Sequence, residues 1–211
     1  MTALAWVLLA ISLAVAVADW VAVARTIRWL EYVTKPAVML GLILVAIALH
    51  PANLAERNFF IVALALGLVS DVFLMLPTDM FLAGLVAALV EHLAYISGFR
   101  TRELHVAVLL VAAVIAFLSV AVFLPAIYRS IRAAHPRLAL PVLVYVIVFL
   151  VMVASAGGTG SIIALVGALL FFYSDAILAW NRFVRPLPLG RVVNIVPYHL
   201  GQAVLVLSLV I

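Results

Sequence analysis

Residues 105–127 read HVAVLLVAAVIAFLSVAVFLPAI, and this stretch indicates the fold class of the chain. It carries no Asp, Glu, Lys or Arg, and a helix of about 20 apolar residues is long enough to cross the hydrocarbon core of a membrane. The chain as a whole is also strongly apolar, since 70% of its 211 residues are apolar and 9% are charged. A soluble domain has about 25% charged residues, so too few polar side chains are present to cover a soluble surface. The sequence therefore predicts an all-α membrane protein.

Apolar runs of similar length follow one another along the chain, separated by short polar breaks. Eight helices of about 20 residues would use roughly 160 residues and leave about 50 for the loops. We predict a polytopic bundle of about eight transmembrane helices that form a single transmembrane domain over residues 1–211. The second span opens with Lys35-Pro36, and proline is tolerated in a first helical turn. The predicted spans are 3–24, 34–50, 59–77, 80–99, 105–127, 138–156, 161–181 and 192–211.

The distribution of arginine predicts the orientation. Eight arginines fall in loops 1–2, 3–4, 5–6 and 7–8 or beside them: Arg25, Arg28, Arg129, Arg132, Arg137, Arg182, Arg185 and Arg191. Three arginines lie at the opposite end: Arg57, Arg100 and Arg102. The positive-inside rule places the first set in the cytoplasm and both termini outside it. The first run lacks a basic segment before it, so we expect a retained span. The Ala/Val-rich, cysteine-free composition, without a targeting extension, predicts a bacterial inner membrane.

Ionisable side chains within the predicted spans are the first functional candidates, because each costs about 2.5–3.5 kcal/mol at the bilayer centre on insertion scales. They are few, and other polar groups accompany them: Asp19, Lys35, Asp71, Glu91, His92 and Asp175, with Tyr95, Asn181, Tyr198, His199 and Gln202. Six of these groups come from five spans and fall at a similar depth: Asp19, Lys35, Asp71, Asp175, Tyr198 and Gln202. Their common depth predicts one shared cavity that opens toward the cytoplasm.

Structural roles are possible for the same residues. Buried aspartates can stabilise a bundle through hydrogen bonds between helices, and a lysine near a helix end can extend to the interface. Glu91 neighbours His92 on a different helical face, so we expect it to lie at the lipid interface or to have a separate partner. Asp19, beside Trp20, fits an interfacial position as well as a functional one. Two aspartates and a histidine can bind a divalent ion, but no metal-binding spacing occurs, and we predict no metal site.

Several motifs with polar or ionisable residues occur in spans two to eight. They are Lys35-Pro36, ALGLVSDVFL at 65–74, HLAYISGF at 92–99, GALLFFYSD at 167–175, NRF at 181–183 and YHLGQ at 198–202. Together, and in this order, the motifs resemble the YhhN family of lysoplasmalogenase-like membrane proteins. At Ser70 the chain differs from many family members, which have glycine directly before the first aspartate.

The resemblance implies an enzyme that hydrolyses the vinyl ether bond of lysoplasmalogens, giving a fatty aldehyde and a glycerophospho-ethanolamine or -choline, without a cofactor. This chemistry needs an acid that protonates the β-carbon and a carboxylate that stabilises the oxocarbenium ion and activates water. Asp71 and Asp175 would be the catalytic pair, in either assignment, with His92 orienting water or an aspartate. The expected substrate-binding residues are Lys35, Tyr95, Asn181, Tyr198 and Gln202.

Two other functions are compatible with the same residues. Intramembrane Asp, His and Lys are also used in proton relays, so a small proton-coupled transporter is one alternative. A lipid-binding protein without catalytic activity is the other, because a fold does not guarantee an activity. Discontinuous helices would favour transport, whereas one pocket that opens to the cytoplasm and to lipid would favour hydrolysis.

Overall fold

The computed structural model describes residues 1–210, and over these residues the chain forms eight α-helices and one short 3₁₀ helix, without a β-strand. Helices α1 to α7 are long and apolar enough to cross a membrane. The prediction of an all-α, multi-pass membrane protein is therefore confirmed, while the count of eight crossing helices stays a prediction. The helices are α1 (Ala3–Ala24), α2 (Arg28–Ala48), α3 (Leu54–Met75), α4 (Phe81–Phe99), α5 (Val106–Ala134), α6 (Ala139–Gly158), α7 (Ile162–Phe183) and α8 (Gly190–Leu207).

Several helices extend beyond the apolar spans, because polar residues at the interface keep the helical backbone. Helix α2 begins at Arg28, six residues before the predicted span, so Pro36 lies inside the helix and not in its first turn. Helix α3 begins at Leu54, where the side chain of Asn53 caps it by accepting a hydrogen bond from the Glu56 amide at 3.1 Å. Hydropathy alone therefore located the crossing segments but not the helix ends.

The helices pack as the hairpins α1–α2, α3–α4, α5–α6 and α7–α8, and α8 also contacts α1 and α2, while α4 contacts α6. The loops 1–2, 3–4, 5–6 and 7–8 consequently lie at one end of the bundle, which we call the arginine-rich end. The outer face of α5 is lined by exposed apolar side chains such as Phe117 (63% exposed) and Val122 (72% exposed). Such a face fits contact with lipid tails.

The backbones of α7 and α8 come close together at two glycines. A Cβ atom on Gly201 would lie 2.9 Å from the amide nitrogen of Phe171 and 3.0 Å from the carbonyl oxygen of Gly167. Small residues allow this approach in membrane bundles, where van der Waals packing holds the helices together. The contact fixes α8 beside α7 and thereby sets the position of Tyr198 relative to Asp175.

Candidate active site

A cavity of about 320 Å³ lies inside the bundle toward the arginine-rich end. Most of its wall is apolar, and a few polar side chains from different helices converge on it. Mostly apolar pockets with a small number of convergent polar groups are typical of small-molecule sites. The titratable and amide side chains of the wall are Arg28, Glu31, Lys35, Asp71, Glu91, Tyr145, Asp175, Asn181, Arg191, Asn194 and Tyr198.

Asp71 on α3 is held by groups from two other helices. The Nζ atom of Lys35 on α2 lies 2.8 Å from its Oδ1, and the hydroxyl of Tyr198 on α8 donates to its Oδ2 at 2.8 Å. The side chain of Asp71 is 5% exposed. A buried charge is tolerated only when it is paired and hydrogen-bonded, so Lys35 and Tyr198 together make an ionised carboxylate possible at this depth. Lys35 is thus a direct ion-pair partner of Asp71.

Asp175 on α7 has a different environment. Its Oδ2 accepts a hydrogen bond from the hydroxyl of Tyr145 on α6, and Nε2 of His92 lies 2.7 Å from the same hydroxyl oxygen. Within residues 1–210 no Lys, Arg or His nitrogen lies within ion-pair distance of Asp175. His92 is fully buried and packs on Phe149, with 4.0 Å between the ring centroids, behind the cavity wall. It therefore reaches Asp175 only through Tyr145.

Glu91 is a third carboxyl group of the cavity. It is 1% exposed, and its Oε1 accepts a hydrogen bond from Nε2 of Gln202 at 2.6 Å. The Tyr95 hydroxyl in turn donates to Oε1 of Gln202 at 2.5 Å. The expectation of a position at the lipid interface is wrong for Glu91, and the separate partner is Gln202. Tyr95 and Gln202 do not line the cavity themselves but lie behind Glu91.

The depth of Glu91 relative to Asp71 follows from its contact with α3. Its carboxylate lies against α3 at Gly67, where an added Cβ would be 2.6 Å from Oε1. Gly67 and Asp71 are four residues apart, hence on one face of the helix and about one turn from each other. Glu91 therefore lies about one helical turn deeper in the bundle than Asp71.

Asp19 and His199 lie outside the cavity wall. Asp19 is fully buried within the protein; the Thr34 hydroxyl donates to its Oδ1 at 2.6 Å, and its Oδ2 has no hydrogen-bond partner among residues 1–210. Nδ1 of His199 accepts a hydrogen bond from the Trp20 indole at 3.1 Å. Among the described residues, no group of three or more His, Cys, Asp or Glu side chains could hold a metal ion.

The open end of the cavity is held by contacts between helices. The Glu31 carboxylate contacts Nη2 of Arg191 at 2.5 and 2.6 Å, which joins α2 to α8. The Asn181 side chain, on the cavity wall, accepts a hydrogen bond from the Leu187 amide at 2.9 Å and so orders loop 7–8. Nearby, Arg182 contacts Asp79 at 2.8 Å, and this hydrogen bond lowers the pKa of the exposed Asp79 carboxyl below its ordinary value.

The structure adds two residues that were not assigned a role from the sequence. Tyr145 is the one polar side chain between residues 139 and 154 of α6, and this isolation in an apolar helix was the available signal. Glu91 was noticed, but its sequence position did not show the direction of its side chain. Ser70, the position that differs from many family members, donates to the Gly84 carbonyl at 3.0 Å and joins α3 to α4.

A family model and two known proteins agree on what this chain is similar to. A model described as the YhhN family matches residues 30–209, which is most of the chain. Lysoplasmalogenase TMEM86B of Homo sapiens is 32% identical over 152 residues, and the protein of that name from Sus scrofa is 34% identical over 152 residues. Each match covers 69% of this chain and 61% of the relative, so the chain spans about three fifths of the length of these relatives.

No solved structure matches the chain. The family model, by contrast, covers the helices α3 to α7 in full, nearly all of α2, and α8 with the cavity residues that it carries. It leaves out α1, which contributes only Val23 to the cavity wall. By this match the chain belongs to the YhhN family.

Proposed function

We propose that this protein is an integral membrane hydrolase that cleaves the vinyl ether bond of lysoplasmalogens, releasing a fatty aldehyde and a glycerophospho-ethanolamine or -choline. Two relatives at 32% and 34% identity carry the name lysoplasmalogenase. The observation that carries the proposal is the cavity with two aspartates in unlike environments, one beside a cation and one beside a neutral hydroxyl. Pairs of carboxyl groups with different environments divide the acid and base roles in hydrolases.

The different partners support one assignment of these roles. Asp71, paired with Lys35, is the ionised carboxylate, and Asp175, without a cation, is the carboxylic acid. Tyr145 donates to Oδ2 of Asp175, which leaves Oδ1 to carry the proton. His92 acts as a positioning residue, because Nε2 donates to the Tyr145 oxygen and directs the Tyr145 hydroxyl hydrogen toward Asp175.

The reaction then proceeds in three steps. Asp175 transfers its proton to the β-carbon of the vinyl ether, and the ether oxygen and α-carbon become an oxocarbenium ion. Asp71 stabilises this cation and accepts a proton from the water that attacks the α-carbon. As the hemiacetal breaks its bond to the glycerol oxygen, Asp71 gives its proton to that oxygen and Asp175 accepts the proton of the hemiacetal hydroxyl. An aldehyde and an alcohol are released, one water is consumed in total, and both aspartates return to their starting protonation states.

The remaining residues bind the substrate or hold the wall. Asn181 and Tyr198 line the cavity and can contact the glycerol portion of the lipid. Tyr95 and Gln202 act through Glu91, since they lie behind it. The apolar wall accepts the alkenyl chain, which enters from the surrounding lipid. The cavity-lining helices are continuous, and this favours hydrolysis over transport with discontinuous helices.

The proposal includes the placement of the protein in the membrane. We infer eight crossing helices, both termini outside the cytoplasm and the arginine-rich end inside it, on the basis of the eight arginines at that end against three at the other. The Ala/Val-rich, cysteine-free composition further supports a bacterial inner membrane. The active cavity would then open toward the cytoplasm.

Release of fatty aldehyde from a lysoplasmalogen by the purified protein in detergent tests the function. Asp71→Asn and Asp175→Asn are each expected to reduce the rate at least about 100-fold. Asp79→Asn is the matched control, because Asp79 is an exposed aspartate at the same end that does not line the cavity. It is expected to keep the wild-type rate.

Folding is controlled in the same experiment. Asp71→Asn leaves the Lys35 ammonium buried without its anion, which can destabilise the fold. The double variant K35M/D71N removes both charges and is measured beside it. This double variant must elute as a monodisperse species. Full turnover in Asp71→Asn and Asp175→Asn would disprove the proposed roles. An intact wild-type protein that releases aldehyde from no lysoplasmalogen would disprove the function.

A further inference from the structure

Three charged side chains line the open end of the cavity and have no role in the hydrolysis. Arg28 and Glu31 lie one turn apart at the start of α2, and Arg191 lies in the first turn of α8. The ionisable groups deeper in the cavity include Lys35 and the three carboxyl groups of Asp71, Glu91 and Asp175. Because Lys35 is already paired with Asp71, the two arginines are the cations available to a ligand at this end.

Both arginines have hydrogen-bond donors to spare. Arg191 contacts the two oxygens of Glu31 through Nη2 alone, at 2.5 and 2.6 Å, so its Nε and Nη1 hydrogens remain for another acceptor. Arg28 makes no hydrogen bond or ion pair through its side chain to any of residues 1–210. Guanidinium groups bind phosphate through paired hydrogen bonds, and two of them on one cavity wall suit a phosphate group.

Glu31 adds the opposite charge at the same place. Its side chain is 10% exposed, which is unusual for a glutamate in a first helical turn. This wall carries one carboxylate, which contacts Arg191, and two guanidinium groups. Such a set of charges complements a ligand that has a phosphate and an ammonium group a short distance apart. Such a ligand can exchange partners with the existing ion pair, its phosphate contacting the arginines and its ammonium contacting Glu31.

We propose that Arg28, Glu31 and Arg191 form a binding site for a zwitterionic phosphate–ammonium lipid headgroup at the mouth of the cavity. The inference rests on the proposed function for the identity of the lipid, but not for the binding itself. It makes Glu31 the residue that distinguishes amine-bearing headgroups from a simple phosphate monoester. It also places the headgroup at the arginine-rich end, with the chain directed toward the aspartates.

The test measures equilibrium binding and not turnover, so its result is separate from that of the aldehyde assay. The ligand is a 1-O-alkyl lysophosphatidylcholine, which has no vinyl ether bond to hydrolyse. Arg28→Gln is the cleanest variant, because the Arg28 side chain has no partner to lose among residues 1–210. It is expected to weaken binding about tenfold, as is the double variant E31Q/R191Q, which removes the whole ion pair. Arg132→Gln, at the same end but outside the cavity wall, is the matched control and is expected to change the affinity less than twofold.

Four other ligands identify what the site recognises. A 1-O-alkylglycerol, without phosphate, is expected to bind at least about tenfold more weakly than the lysophosphatidylcholine. Glu31→Gln is expected to weaken binding of the choline lipid relative to a 1-O-alkyl lysophosphatidic acid, which has no amine. Glycerophosphocholine is expected to compete for the site better than inorganic phosphate does.

The opposite results overturn the proposal. Equal affinity for the alkylglycerol and the lysophospholipid, or Arg28→Gln and E31Q/R191Q variants that bind like Arg132→Gln, would show that the arginines only maintain topology. Equal competition by inorganic phosphate would show a simple phosphate site without recognition of the ammonium group.

Discussion

Among single residues, Tyr145 has the most specific position, because its hydroxyl lies between His92 and Asp175. Without it, Asp175 keeps its burial but loses the donor that fixes one oxygen. Tyr145→Phe is expected to reduce the rate of aldehyde release about tenfold or more, which is the effect of a hydrogen bond to a carboxyl group. Tyr173→Phe is the control, because the Tyr173 hydroxyl contacts Ser119 and lies outside the cavity wall. Equal rates in the two variants would remove Tyr145 from the mechanism.

A second residue-level prediction concerns Gly67. An added Cβ would meet the Glu91 carboxylate at 2.6 Å, so Gly67→Ala is expected to displace Glu91 and to destabilise the protein by about 1–3 kcal/mol through overpacking. In the Glu91→Ala background, Gly67→Ala is expected to have little effect on stability, because the space beside Gly67 is then empty. A double-mutant cycle measured by thermal unfolding in detergent tests this coupling. Additive effects would mean that Glu91 does not lie against Gly67 in solution.

The sequence predicted the residues of the site more reliably than it predicted the directions of their side chains. Lys35, Asp71, Asp175, Asn181 and Tyr198 line the cavity, whereas His92, Tyr95 and Gln202 lie behind its wall. The difference depends on the rotation of α4 and α8 about their axes. In an apolar membrane helix no polar face indicates that rotation, so the side-chain direction follows only from packing with neighbouring helices.

For the secondary-structure elements, the contact between α7 and α8 determines how the site is assembled. Gly201→Ala would place a Cβ 2.9 Å from the backbone nitrogen of Phe171, and a backbone atom cannot move aside as a flexible side chain can. We expect a loss of about 1–3 kcal/mol, seen as a lower midpoint of thermal unfolding in detergent. Gly158→Ala is the control, since its Cβ would meet only leucine side-chain atoms, the nearest at 3.1 Å. A midpoint in Gly201→Ala as high as in Gly158→Ala would contradict the close approach.

The helix boundaries illustrate a limit of hydropathy at the same scale. The apolar runs locate the central part of α2 and α3, but the predicted spans leave out the first turns of these helices, which contain Arg28, Glu31 and Glu56. These polar turns are helical because the backbone hydrogen bonds continue beyond the apolar core. The mouth of the cavity is built from such a turn in α2, so hydropathy did not predict that Arg28 and Glu31 line it.

For the whole molecule, orientation is the testable property, and the absence of cysteine makes the test simple. Cysteine variants at Glu103 and Arg132 would probe the two ends of the bundle. In intact cells, a membrane-impermeant maleimide is expected to label Glu103→Cys, and to label Arg132→Cys only after the cells are lysed, because the positive-inside rule predicts that the arginine-rich end faces the cytoplasm. The unsubstituted chain is the control without label. The reverse pattern would invert the topology and move the cavity mouth to the outer face.

The ion pair between Lys35 and Asp71 has a consequence for how the chain is inserted during synthesis. Each of these charges alone penalises entry of its helix into the bilayer by about 2.5–3.5 kcal/mol, but together they form one neutral unit 2.8 Å apart. Helices α2 and α3 are consecutive, so both leave the ribosome before the rest of the site exists. The translocon is therefore expected to release them as a hairpin. The ion pair that we propose keeps Asp71 ionised for catalysis would then first help the nascent chain to enter the membrane.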